Sequence, residues 1–318
     1  MNAKRFLPLF GLAAFCGAAY LLYRALSQYE AQEVVDSIFA MSLPRLVLGG
    51  LFVAGSYFSL TLFDTLALRY IGAKLPYRSI ALASFSALSV GHTLGLAAVS
   101  SGAIRYRFYS RWGVRAGDVA KIILFCAITV GLGLNTLGGL SLLLQSEVAA
   151  NLLGFSQAVA LTFGFTCLTF TALYVGLSAM LRRSVGAKKW EISMPPLNLA
   201  LAQIAIGTIN FCFVAAALHQ MLPPAAEAGY FAVVTAYVLG NVATLISHVP
   251  GGLGVLEAVV IYLVPRATVV GALVAFRVIY FLVPFAIGAP LFAAYELAQK
   301  HRRANDGTRA AGKSARLR

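Results

Sequence analysis

The chain has 318 residues, 60% of them hydrophobic and only 11% charged, with a formal net charge of +14. Soluble domains carry roughly 25% charged residues, so this composition excludes a soluble globular protein and leaves no stretch that houses a soluble enzyme. The positive charge falls on loops and on the tail, which fits attraction to anionic lipid and excludes nucleic acid as the partner.

Lys4 and Arg5 precede an apolar stretch that runs to Tyr23. It is longer than the core of a signal peptide, so an uncleaved span is expected over 6–26. A second span is expected over 45–68, with Asp64 in its latter part and Arg69 and Leu75-Pro76-Tyr77 following. The next apolar segment, 79–104, is interrupted by Ser89, Gly91, His92, Thr93 and Gly95. A full crossing here would put Arg105, Arg107, Arg111, Arg115 and Lys121 outside, against the bias of cytoplasmic loops for Lys and Arg. Two half-length pieces that enter from the cytoplasm and return to it remove the conflict.

Further spans are expected over 119–144, 157–181 and 197–222. Gly131, Gly133, Gly138 and Gly139 give the first of these a small-residue face for helix packing. No strand precedes them, so they do not form a nucleotide loop. Residues 230–264 are broken by Ser247-His248-Val249-Pro250-Gly251-Gly252-Leu253-Gly254-Val255-Leu256-Glu257. Open backbone at membrane depth survives only where it is buried in protein or lines a wet cavity, and transporters commonly bind substrate at such breaks. A last span is expected over 268–297, containing Arg277, and a disordered basic cytoplasmic tail over 298–318. The cysteines Cys16, Cys126, Cys167 and Cys212 stand singly and read as small hydrophobes.

The expected architecture is therefore an all-α polytopic membrane protein with six full spans and two re-entrant broken segments. Its membrane domain is 1–297, and both termini are cytoplasmic. The halves 6–144 and 157–297 repeat the series span, span, re-entrant, span with opposite starting sides, an inverted repeat.

Ser100-Ser101-Gly102-Ala103-Ile104-Arg105-Tyr106-Arg107-Phe108-Tyr109-Ser110-Arg111-Trp112-Gly113 and Pro250-Gly251-Gly252-Leu253-Gly254-Val255-Leu256-Glu257, with Asp64, Arg69 and Leu75-Pro76-Tyr77, carry a family resemblance. Over most of 45–297 the chain resembles the membrane domain of bacterial lysylphosphatidylglycerol synthase/flippase and its stand-alone inner-membrane relatives. That resemblance implies movement of aminoacylated phospholipid to the outer leaflet and an inner-membrane location. The soluble synthase domain of the full-length members is absent from this sequence.

Arg105, Tyr106, Arg107, Tyr109 and Arg111, with Ser101, Gly102 and Asp64, form the expected substrate-binding set. Arginine forks recognise phosphate bidentately, and tyrosine suits the headgroup region; the plain alternative for the charge is topology alone. Asp64 is expected to pair with Arg69 or with one of the arginines at 105–111. The expected translocation set is His92, His248, Pro250, Gly251, Gly252, Gly254, Glu257 and Arg277. Glu257 and Arg277 are expected to pair within the membrane. His92 and His248 stand at the breaks, either as hydrogen-bonded structural residues or as proton relays.

The function expected is lipid translocation, of an anionic or aminoacylated phospholipid, without cofactor or metal. An intramembrane headgroup transferase and a regulatory or assembly subunit are the alternatives. An enzyme is the less favoured reading, because the sequence has neither an HExxH motif nor a nucleophile elbow. The partners expected are membrane phospholipid, a lipid-modifying enzyme encoded elsewhere and a second copy of the chain.

Overall fold

The computed structural model describes residues 41–94, 97–181, 184–185, 192–223, 229–247, 255–263 and 268–315. Five helices in it are long and apolar enough to cross a membrane: Leu43–Tyr70, Ala116–Leu144, Gln157–Met180, Leu197–Met221 and Gly271–Lys300. They coincide with five of the six expected spans; the sixth, 6–26, lies outside the described residues.

In chain order the helices are α1 (Leu43–Tyr70), α2 (Tyr77–Leu94), α3 (Ala97–Arg111), α4 (Ala116–Leu144), α5 (Ser146–Leu153) and α6 (Gln157–Met180). There follow α7 (Leu197–Met221), α8 (Tyr230–Ser247), α9 (Val255–Leu263), α10 (Thr268–Arg277), a π-helical turn (Val278–Leu282) and α11 (Val283–Ala315). Between α6 and α7, Ser184–Val185 pairs antiparallel with Ile192–Ser193. At 1.5 Å per residue, the 28 residues of α1 exceed the roughly 30 Å hydrocarbon core.

Local chemistry sets the ends of α1 and α3. Pro44 stands in the first turn of α1, where its missing N–H leaves no bond unmade. Gly72 (φ 73°) and Gly113 (φ 86°) take the left-handed conformation that closes a helix. The next residues then donate back, Ala73 N–H to Leu68 O and Val114 N–H to Tyr109 O. These two turns return the chain into α2 and α4 at one end of the bundle. That end carries Arg69, Lys74, Arg78, Arg115 and Lys121, and is called the basic end below.

The two broken segments form helical hairpins. In the first, Ser84 of α2 and Arg105 of α3 meet at the same carboxylate of α1, and Ser100 Oγ donates to Gly91 O at 3.5 Å. Residues advancing along α2 thus face residues receding along α3, so the helices are antiparallel and open to the basic end. The inner end of α2 lies halfway along the bundle. His92, near the end of α2, packs against Tyr57, the midpoint of α1.

The second hairpin opens the other way. Tyr230, which begins α8, donates to Cys212 O at 3.0 Å and lies 5.9 Å from His219, near the far end of α7. Gly240 backs onto Leu256, so α9 returns alongside α8. Tyr262 OH then reaches Asn151 O of α5 at 3.4 Å, at the end opposite the basic one. His248, Pro250, Gly251, Gly252 and Gly254 fall outside the described residues, as does the Glu257 side chain.

Glycines allow close approach at two crossings, backbone to backbone at the first and backbone to side chain at the second. A Cβ on Gly207 of α7 would stand 2.6 Å from Thr129 O of α4, and one on Gly133 would strike the Gly207 backbone. A Cβ on Gly288 of α11 would overlap Ser89 of α2. Small residues permit this approach, and dispersion and backbone packing gain from it where lipid removes the usual hydrophobic drive.

Helix α11 continues through Ala315, across a stretch whose composition predicts disorder. Arg, Ala and Lys are good helix formers, and a helix already nucleated by a packed span extends without a new nucleation cost.

Gly133→Val should therefore lower the melting temperature in detergent, at about 1–3 kcal/mol for overpacking or more where only backbone can yield. Gly131→Ala has open space at its Cβ, and the same measurement should find it neutral or slightly stabilising. Equal effects of the two changes would contradict the α4–α7 contact.

Candidate functional site

Asp64 is fully buried and accepts four hydrogen bonds. Arg105 grips it bidentately, Nε to Oδ1 at 2.8 Å and Nη2 to Oδ2 at 2.7 Å. Tyr109 OH donates to Oδ1 and Ser84 Oγ to Oδ2, each at 2.7 Å. The third guanidinium nitrogen, Nη1, reaches Ser101 Oγ at 3.0 Å. Ser101, Arg105 and Tyr109 recur every four residues, so one face of α3 supplies them all. Gly102 belongs to another face, where an added Cβ would meet Ile123 of α4 at 3.1 Å.

The expected arginine–tyrosine patch is thus divided. Arg105 and Tyr109 point inward, 3% and 0% exposed, because an unpaired carboxylate on α1 costs far more than a paired one. Tyr106 is 48% exposed on the outer face. Arg107 and Arg111, one turn apart, turn to α11 and share Glu296. Arg111 holds both its oxygens, at 2.6 and 2.9 Å, and Arg107 reaches Oε2 at 2.9 Å. Their guanidinium carbons lie 6.0 Å from the Phe292 ring centre and 5.6 Å from that of Tyr295.

A third polar group occupies the middle of the bundle. Ser56 Oγ donates to Asn210 Oδ1 at 2.8 Å and lies 3.5 Å from Tyr280 OH. Tyr57 OH donates to the backbone oxygen of Tyr280 at 3.2 Å. That carbonyl is unusual for a covalent reason: the residue four ahead is Pro284, which has no N–H to give it. The helix widens there into the π-turn, with Val283 N–H bonded to Val278 O. Such turns are frequent at functional sites. His92 stacks on Tyr280, 6.2 Å between ring centres, and also faces Phe281. Its Nδ1 is buried with no hydrogen-bond partner among the described residues.

The remaining expected residue, Arg277, sits where α10 enters the π-turn, its guanidinium 5.8 Å from the Phe281 ring centre. A lateral cleft near the basic end, between Tyr70, Lys121, Phe125, Tyr174 and Gln203, contains none of the expected site residues.

Sequence reasoning missed Ser84, Ser56, Asn210, Tyr57, Tyr280 and Glu296. Asn210 and Gln203 carried a readable signal, as uncharged polar residues inside an apolar span. Both are indeed bonded across helices, Gln203 to Thr129 Oγ1 at 3.1 Å and to Tyr174 OH at 2.7 Å. Glu296 stands at the very end of the last expected span, and its partners are more than 180 residues away.

Asp64→Asn and Arg105→Met should each destabilise by about 3–5 kcal/mol, since each strands or weakens a buried partner. The double variant should regain part of the loss. Melting temperatures of the four proteins in one detergent measure the coupling; strict additivity would mean that the pair is energetically independent.

No family model matches the chain. It is 33% identical over 282 residues to slr0712, an uncharacterized protein of Synechocystis, with 87% of both chains covered. It is 29% identical over 260 residues to the inner membrane protein YbhN of Escherichia coli, covering 80% of this chain and 81% of that one. These similarities, with the five apolar helices, make the chain a multi-pass inner-membrane protein belonging to the family of slr0712, with YbhN as a relative.

Proposed function

We propose that the chain moves an anionic or aminoacylated phospholipid between membrane leaflets, in the manner of the flippase domain that it resembles. The observation that carries this reading is the level of His92, which stands near the inner end of α2 against Tyr57, the midpoint of α1. A hairpin of that depth enters and leaves on one side. The inner end of α2 brings a ring nitrogen without a partner among the described residues and the Ser56–Asn210–Tyr280 group to one depth. Transporter sites are commonly built so, from interrupted helices near the midplane.

The second hairpin, open to the opposite end, supports the inverted repeat. In that repeat α1, α2–α3 and α4 correspond to α7, α8–α9 and α10–α11, and α6 corresponds to the span expected over 6–26. With the basic end in the cytoplasm, both termini are cytoplasmic too. Arg107, Arg111 and the exposed Tyr106 then stand where an inner-leaflet headgroup meets the protein. The ligand's negative charge follows from theirs.

Topology is testable by single cysteines in a cysteine-free background, labelled with an impermeant thiol reagent. Arg78→Cys and Arg115→Cys bracket the first hairpin and should label from the cytoplasm; Gly229→Cys should label from outside. Labelling of 78 and 115 from opposite sides would make α2–α3 a full crossing.

Transport is testable in proteoliposomes with a fluorescent phosphatidylglycerol, and the wild-type protein should move it faster than empty liposomes do. His92→Phe removes a buried nitrogen with no hydrogen-bond partner among the described residues, whose desolvation costs about 1–3 kcal/mol. That variant should melt no lower than wild type, yet move lipid about tenfold more slowly, the trade expected where a strained polar site serves activity. A wild-type rate equal to that of empty liposomes, across several headgroups and with a proton gradient imposed, would overturn the reading in favour of an assembly role.

A further inference from the structure

We infer that Glu296 occupies a phosphodiester site formed by Arg107 and Arg111, and that an anionic phospholipid headgroup displaces it. This rests on the translocation reading and identifies where the headgroup is first taken up.

The geometry is that of anion recognition rather than of a simple ion pair. Two guanidinium groups converge on one carboxylate, with three nitrogen–oxygen contacts of 2.6–2.9 Å. One positive charge is left over. Each guanidinium lies over a ring of α11, Phe292 or Tyr295, so its plane is set before any ligand arrives. A phosphodiester carries one negative charge and two free oxygens, as a carboxylate does, and accepts the same forked bonds. The arginines are partly exposed, with 27% and 20% of their side chains accessible, and so is Glu296, with 14%. Ligand access therefore needs only the carboxylate to swing aside. By contrast, the Asp64–Arg105 pair is sealed.

The displaced residue belongs to the helix that carries the π-turn. Glu296 is the charged clasp between the first hairpin and the basic end of α11, beside ring contacts in which Phe108 lies tilted against Phe292 and Tyr295. Headgroup uptake thus exchanges an internal bond between hairpin and last helix for a bond between hairpin and ligand. A lipid would loosen the two elements whose inner ends enclose His92.

Trp112 stands beside the site, 6.0 Å from the Tyr295 ring. With Trp190→Phe it becomes the single tryptophan of the chain. Its fluorescence is measured in phosphatidylcholine nanodiscs containing increasing brominated phosphatidylglycerol, with brominated phosphatidylcholine as the collisional baseline. Glu296→Gln should reduce the phosphatidylglycerol fraction needed for half-maximal quenching by about tenfold, because the competing charge is gone. Arg107→Gln/Arg111→Gln should fall to the baseline. Glu296→Asp retains the charge with a shorter reach; it should lie between wild type and Gln, and it decides the matter if the Gln variant fails to fold.

A folded Glu296→Gln that quenches no better than wild type would overturn the inference and leave a structural clasp. Reversal of the quenching by inorganic phosphate, beyond chloride at matched ionic strength, would also overturn it, by assigning the site to the free anion. Failure here and failure of the translocation reading are separable. Tight headgroup binding without transport removes only the latter, and transport insensitive to Glu296 removes only the former.

Discussion

A carboxylate in hydrocarbon must be surrounded by donors, and Asp64 is the residue around which the first half of this protein is arranged. Its oxygens collect an arginine fork, a phenol and a serine hydroxyl from two other helices. Removing any donor leaves charge or lone pairs unmet where no water replaces them. The bond set therefore dictates which way α3 turns, how deep α2 inserts and which arginines remain for other work. The burial of Arg105 follows from it, and so does the orientation of Arg107 and Arg111 toward α11.

Two of the contacts between helices differ in kind. Where α4 crosses α7, backbone meets backbone at Gly133 and Gly207, and no side chain can adjust to let the helices slide. Where the first hairpin meets the π-turn and α11, most contacts are rings, hydroxyls and one shared carboxylate, with Gly288 letting the helix backbone close on the Ser89 side chain. Packed backbone is stiff, whereas side chains exchange rotamers and partners. The bundle thus has a fixed seam and an adaptable one. Of the polar residues grouped at mid-depth, His92 and Tyr280 lie on the adaptable side, whereas Asn210 of α7 stands three residues from Gly207 of the fixed seam.

Much of this was legible in the sequence, for physical reasons. Span positions followed from apolar length, and five of them coincide with long helices. Asp64 announced a partner because an isolated charge in an apolar run is intolerable; which arginine answers was undecidable, since Arg69, Arg105, Arg107 and Arg111 all lie near that depth. The choice depends on the rotation of α3, which the Gly102–Ile123 contact and the Tyr109 bond fix together. Contacts such as Ser56 with Tyr280 join residues 224 apart, and no local pattern encodes them. Glu296 escaped notice for a related reason, being the last acidic residue before a basic tail, where solvent exposure was the natural reading.

The π-turn has a consequence for register. An α-helix advances about 100° per residue, so one residue accommodated as a wider turn rotates everything beyond it by that amount relative to everything before. Gly288 against Ser89, Phe292 against Phe108 and Glu296 against the two arginines all lie downstream of Val278–Leu282. A regular helix through this region would carry all three away from the first hairpin together. The single extra residue acts as an angular offset, and Pro284 and the phenol of Tyr57 keep it in place from the middle of the bundle.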